Sequence, residues 1–149
     1  MKQLSLPIRF GLVTSIVLIA YFLLLSLFHK HINPAFSFFN AVITAFGIFE
    51  AIRVYKLQYI ESFSYGEGFK TGLITGGVAT VFFTVFFLLY ATELNADFIP
   101  QLLATIKGGF DTNVGMVTAV VAIMGFATTV VCTLTIMQLF KKSKNIISK

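Results

Sequence analysis

The 149-residue chain reads as an all-α integral membrane protein with four transmembrane helices, and three observations predict that class. Long apolar runs occupy about residues 7–28, 34–55, 68–92 and 114–140. At 1.5 Å of rise per residue, each is long enough to cross a hydrocarbon core about 30 Å thick. Charged residues make up only 11% of the chain and apolar residues 57%. A soluble domain is about 25% charged, so there is too little polar side chain here to cover a water-facing surface. The basic residues gather at the ends of the apolar runs. The length fits one domain over residues 1–149, a single bundle with no separate soluble part.

The net charge of +5 does not point to nucleic acid, because no polar segment carries a basic face interleaved with aromatic residues. The lone Cys132 has no intrachain disulfide partner. Lys2 and Arg9 resemble the start of a signal peptide. The apolar run behind them is longer than such a peptide needs, though, and it ends in Phe28-His29-Lys30-His31 without a small-x-small cleavage site. It is read as a retained first helix.

Sidedness follows the lysines and arginines. With the N-terminus inside, Lys2, Arg9, Arg53, Lys56, Lys70 and the tail lysines Lys141, Lys142, Lys144 and Lys149 are all cytoplasmic. Only Lys30 and Lys107 are then outside. Both termini are therefore expected in the cytoplasm, with loops 29–33 and 93–113 outside and loop 56–67 inside.

Each element has a local reason. The short turn before Pro34, a residue suited to a helix start, makes the first two spans antiparallel neighbours. The second span carries Asn40, Thr44, Gly47, Glu50 and Arg53. Glu50 is the one acid expected within a span, where a carboxylate is costly and a functional candidate. Arg53, three residues on, offers it a structural partner and can snorkel to the interface. Ser64-Tyr65-Gly66-Glu67 reads as a capping box that opens the third span, and Glu67 and Lys70 are spaced to pair.

The third span then carries Gly68, Gly72 and Gly76, continued by Thr80 and Thr84. Four-residue spacing puts them on one ridge, a glycine zipper along which another backbone can come close. That neighbour is either another helix of this chain or another subunit. The fourth span has its own small stripe at Thr118, Ala122, Gly125, Thr129 and Cys132. Between these spans, Phe98, Ile99, Leu102, Leu103, Ile106 and Phe110 fall within about 140° of a helical wheel. Asp97 and Pro100 suit its start and Gly108-Gly109 its end. A short amphipathic helix is expected over about 98–109 on the outer face, lying at the interface, lidding the bundle or facing a partner.

Arg9-Phe10-Gly11-Leu12-Val13-Thr14-Ser15 at the first span is echoed by Lys70-Thr71-Gly72-Leu73-Ile74-Thr75-Gly76 at the third. Both spans run the same way, so a duplication would be of two parallel-repeat hairpins; so short a match is also within reach of chance.

No catalytic constellation is visible. There is no phosphate-binding loop, nucleophile elbow or pair of acids in one span. His29 and His31 lack a third metal ligand. No enzyme activity, metal or cofactor is expected.

The stretch from Ser62 to Ile74 contains Tyr65-Gly66-Glu67-Gly68-Phe69-Lys70-Thr71-Gly72 and is followed by an aromatic-rich span and Asn95-Ala96-Asp97-Phe98. It resembles the small four-helix membrane proteins of Bacteroidota grouped as domain of unknown function 4199, whose third helix opens on Tyr/Phe-Gly-x-x-Phe-Lys-x-Gly. The usual Asn-Pro after that helix is Asn95-Ala96 here. The resemblance implies a bacterial inner-membrane protein, loosely a cell-envelope one, and brings no established activity.

Small-residue ridges and sparse polar lining lead to one functional expectation: a non-enzymatic accessory or scaffolding subunit of an inner-membrane complex. Its partners would be the lipid bilayer and another membrane protein or a second copy. The rival is a small oligomeric carrier or lipid-linked-sugar flippase, whose polar route only Asn40, Glu50, Arg53, Gln138 and some threonines could build. The orientation has a direct test. In intact cells and a Cys132→Ser background, a membrane-impermeant thiol reagent should label Asn95→Cys and miss Ser143→Cys. Labelling at position 143 would reverse the topology.

Overall fold

A computed structural model describes residues 2–28, 34–95, 97–105 and 113–140. It contains α1 (Lys2–Leu27), α2 (Pro34–Gln58), α3 (Tyr65–Leu89), α4 (Phe98–Thr105) and α5 (Val114–Phe140). All four long helices are long and apolar enough to cross a membrane, and no strand occurs among the described residues. A π-helical turn over Tyr90–Leu94 prolongs α3 and closes with Asn95 N–H donating to the Tyr90 carbonyl at 2.9 Å. His29, Lys30, His31, Ile106, Lys107, Gly108-Gly109, Phe110 and the tail lysines lie outside the described residues.

α1 and α3 begin before the apolar windows expected of them and α2 ends after its own, whereas α5 coincides with its window. Pro7 stands inside α1 and not at its start. A proline forbids only the bond to the carbonyl four residues back, here that of Gln3, so Lys2–Leu6 can extend the helix before it. α3 begins at Tyr65 because Ser64 caps it: Ser64 is extended (φ −116°, ψ 163°) and its Oγ accepts from the Glu67 N–H at 3.2 Å. The reciprocal half of the expected capping box is replaced, since the Glu67 carboxylate accepts from the Tyr55 hydroxyl at 3.2 Å. That bond ties α3 to α2, and no Glu67–Lys70 ion pair forms.

Contacts fix an up-down-up-down order. Pro7 meets Thr75 and Phe22 meets Phe87, so α1 and α3 are parallel. Thr14 meets Gly47, and Gly72 meets Thr133, so α2 and α5 run the other way. α3 packs against α1, α2 and α5, whereas α1 and α5 lie on opposite flanks with at most marginal contact.

Within lipid, apolar burial gives helices little reason to associate, so close backbone packing must hold them together. The α3 ridge supplies it from inside the chain. A Cβ added at Gly72 would lie 2.6 Å from Thr133 Cγ2, and one at Gly125 would lie 2.6 Å from Thr80 Cγ2. Gly76 faces Thr129, and Gly68 faces Met137. Each step of four along α3 is matched by a step of four back along α5, and a glycine on one helix usually opposes a threonine on the other. On its other side, α3 brings the Thr75 carbonyl to within 2.7 Å of a Cβ at Gly11. The echoed glycines therefore serve different neighbours, Gly11 facing α3 and Gly72 facing α5 and Ile48 of α2.

Adjacent glycines on α3 provide a matched test. Gly76→Ala forces a methyl into Thr129 and should lower stability in detergent by about 1–3 kcal/mol, the usual range for overpacking. At Gly77 the nearest atom to an added Cβ is Phe126 Cε1 at 3.7 Å. Gly77→Ala should therefore be neutral or stabilise by up to about 1 kcal/mol, since alanine favours helix. Equal unfolding midpoints for the two variants would refute the close approach.

Candidate functional site

An interior space with polar atoms in its wall lies beneath α4. Phe22 of α1 is the centre of its roof. Its ring meets Phe83, Phe86, Phe87, Tyr90 and Phe98 edge-on, with centroids 5.0–6.2 Å apart; such T-shaped pairs are favourable beyond their burial. Phe98 is 1% exposed and Ile99 4%. The start of α4 is thus folded onto the bundle end, which is the lidding alternative among those the sequence left open. The π-helical turn helps: Phe98 N–H donates to the Asn95 carbonyl at 3.0 Å, and the Tyr90 hydroxyl lies 2.6 Å from Ser26 Oγ on α1.

Beneath this roof is a cavity of about 230 Å³ walled by α1, α2, α3, α4 and α5. Its polar residues are Asn40 and Thr44 from α2, Thr80 and Thr84 from α3, Thr128 from α5 and Tyr21 from α1. Its apolar walls include Phe22, Phe83, Phe87, Phe98, Leu102, Val121 and Met124. Among the described residues, no acidic, basic or histidine side chain lines it.

Most hydroxyls near the cavity are satisfied locally. Thr44 donates to the Asn40 carbonyl at 2.8 Å, Thr128 to the Met124 carbonyl at 2.8 Å, and Tyr21 to the Phe36 carbonyl at 3.0 Å. Bonding back to the preceding turn is how a threonine hydroxyl avoids exposure to lipid. Two atoms in the wall have no partner at all: Asn40 Oδ1 and Thr84 Oγ1, both buried. A third such atom, Thr133 Oγ1, lies in the α3–α5 seam.

The cavity opens where the small-residue register runs out. Continuing the α3–α5 pairing one step past Thr80 and Gly125 brings Thr84 opposite Val121, with no glycine on either helix. Both residues line the space. At the other end Ile48 and Ile52 of α2 are fully buried against Ile136 and Met137 of α5, and the Phe49 and Phe140 rings stand 5.6 Å apart. Lys56 Nζ lies 5.3 Å from the Phe140 ring and 5.7 Å from the Phe63 ring, and these three residues with Arg53 and Leu57 line a second space of about 390 Å³.

The other residues singled out in the sequence do not gather here. Arg53 Nη1 meets Glu50 Oε1 at 3.2 Å, with side-chain exposures of 57% and 25%, so the pair faces away from the cavity. Gln138 is exposed on α5. Of the residues expected to build a carrier route, Asn40 and the threonines Thr44, Thr80, Thr84 and Thr128 reach the cavity, whereas Glu50, Arg53 and Gln138 do not. Gly68, Gly72, Gly76, Thr80 and Gly125 lie in the α3–α5 seam. Phe98 and Leu102 roof the cavity, and Leu103 packs against the aromatic cluster. Among the described residues, no three His, Cys, Asp or Glu side chains could hold a metal.

Four membrane-length helices, closely packed where Gly72, Gly76 and Gly125 meet threonines, define a multi-pass helical membrane protein. The chain belongs to the family described as protein of unknown function DUF4199, whose model matches residues 9–142. That match agrees with the resemblance carried by Tyr65–Gly72. No curated protein and no solved structure matches the chain.

The roof can be tested by truncation. Phe98→Ala should cost about 3–5 kcal/mol, as for other buried aromatic residues. Leu94→Ala, at a position 70% exposed, should change stability by less than about 0.5 kcal/mol. Were α4 merely resting on the membrane surface, the two variants would have the same unfolding midpoint.

Proposed function

We propose that the chain is a non-enzymatic accessory or scaffolding subunit of a bacterial inner-membrane complex of the cell envelope, with both termini cytoplasmic. The observation that carries this reading is a second ridge, on the outward face of α5. Gly115, Ala119, Ile123, Ala127, Val131 and Thr135 follow one another at four-residue spacing, and all are exposed. Small side chains at Gly115, Ala119, Ala127 and Thr135 would let another helix approach closely, which in lipid is what association requires. The inward line of the same helix, through Gly125, Thr129, Thr133 and Met137, is already occupied by α3. α5 is also the least covered of the long helices, 22% of its span window being buried against 33% for α3.

The ridge on α3 does not serve this role in the proposal, because α5 fills it. The amphipathic character expected of the α4 region and the parallel duplication are not needed for it. The carrier or lipid-linked-sugar flippase remains the alternative. It would need a polar route, whereas Glu50 and Arg53 lie outside the cavity, and Ile48, Ile52 and Met137 pack as a buried apolar layer.

The test is copurification at native expression in mild detergent. Wild type should retain a stoichiometric membrane partner identified by mass spectrometry. The double variant Ala119→Leu/Ala127→Leu should lose it while keeping the wild-type unfolding midpoint, since that face touches nothing within the chain. Retention of the partner by the double variant would sink the α5 interface. Recovery of wild type alone, with no partner, would sink the subunit reading.

A further inference from the structure

We propose that the cavity beneath α4 is a binding site for one neutral amphiphile, a long-chain lipid alcohol whose hydroxyl bridges Asn40 and Thr84. Three observations specify the ligand. First, Asn40 Oδ1 and Thr84 Oγ1 are both buried and both without a partner in the wall of the same cavity. A buried polar atom left unpaired is costly, more so in a membrane than in water. Thr84 does not satisfy itself within its own helix, as several threonines of this chain do. Thr14, Thr44, Thr118, Thr128, Thr129 and Thr135 all donate to the carbonyl four residues back at 2.7–2.9 Å, whereas the Thr84 hydroxyl does not.

Second, the missing partner must donate to Asn40 Oδ1 and can accept from Thr84 or donate to it. An amide oxygen only accepts, so it needs a donor; a threonine hydroxyl can then donate to the oxygen that serves Asn40. A hydroxyl group meets both demands, and it satisfies Asn40 in either orientation of its amide. An ester carbonyl would leave Asn40 Oδ1 unpaired. A phosphate, ammonium or carboxylate would bring a charge into a wall where no described side chain carries the opposite charge.

Third, the remaining surface suits an apolar body. Phe22, Phe83, Phe87, Phe98 and Leu102 surround the space. Its volume of about 230 Å³ exceeds the roughly 150 Å³ known to hold a benzene ring in a dry engineered cavity. Met124 in its wall is 63% exposed, so the chain of a lipid can leave the cavity sideways into the bilayer.

The test uses the full chain in phosphatidylcholine nanodiscs with hexadecanol carrying a mid-chain diazirine. The matching diazirine hexadecane, without a hydroxyl, is the control, and photolabel is mapped by mass spectrometry. The alcohol should label Phe83–Phe87 and Met124 saturably, plain hexadecanol should compete, and the alkane should not reach the same level. Thr84→Val keeps the side-chain shape and removes the hydroxyl. It should weaken the alcohol about five-fold, the size expected for one net hydrogen bond, and Asn40→Leu should do the same. Without added alcohol, Thr84→Val should leave the unfolding midpoint unchanged or raised, because an unpaired group has been removed. Equal labelling by alcohol and alkane would overturn the proposal. So would a lowered midpoint for Thr84→Val together with unchanged labelling, which would mean that a structural water joins the two groups.

Discussion

The closest constraint on this molecule is the distance between helix backbones at α3. In a bilayer the solvent is as apolar as the side chains, so a helix gains little by burying leucine against leucine. Dispersion contacts between close surfaces remain, and they fall steeply with separation. Gly72, Gly76 and Gly125 remove the side chains that would hold α3 and α5 apart, and Thr80, Thr129 and Thr133 fill the resulting hollows. Gly11 does the same for α1, against the Thr75 carbonyl, and Gly47 admits Thr14 between α1 and α2. The central position of α3 follows from this distribution. It carries small residues toward α5 and presents an accessible backbone to α1, so both flanking helices are organised around it.

The same constraint explains where the bundle is sealed and where it is open. Toward the α2–α3 loop, glycine–threonine pairs close the α3–α5 seam, and Ile48, Ile52 and Met137 pack as a layer beside it. Toward α4 the register reaches Thr84 and Val121, no glycine is available, and the interior is completed by rings. Phe22, Phe87, Tyr90 and Phe98 can span a wide gap because each is large, but edge-on rings fill space less completely than interlocked methyls. A cavity at the junction of the two packing modes is the physical result, and it holds the unpaired Asn40 and Thr84 atoms.

Local chemistry was legible in the sequence wherever it depended on neighbours along the chain. Hydropathy placed the long helices, the Ser64 cap was visible three residues before Glu67, and the spacing of Glu50 and Arg53 allowed the contact they make. What depended on register between helices was not legible. The four-residue spacing of Gly68, Gly72 and Gly76 identified a face, and the stripe through Gly125 and Thr129 made the last span a candidate to cover it, but the sequence could not decide between that helix, the first span and another subunit. Likewise, the apolar arc of Phe98, Leu102 and Leu103 could not say whether lipid or Phe22 lay opposite. Glu67 was read as completing its own cap, whereas Tyr55, twelve positions earlier, competes for it. Thr84 looked like one more ridge residue, and only its pairing across α5 distinguishes it from Thr80.

α5 joins the two proposed sites. Its inward line through Gly125, Thr129 and Thr133 is locked to α3, while its outward line through Ala119, Ile123 and Ala127 lies two residues out of phase, on the opposite side of the helix. Met124 and Thr128 lie between these lines and face the cavity. A ligand there would press on the same turns of α5 that present the outward ridge. Below Gly125 the helix is held by close contacts that cannot yield without a clash; above it, the cavity leaves α5 freer to shift. Any coupling between an occupied cavity and a docked partner would therefore be carried by the first half of α5, the part of the bundle that no glycine–threonine pair holds in place.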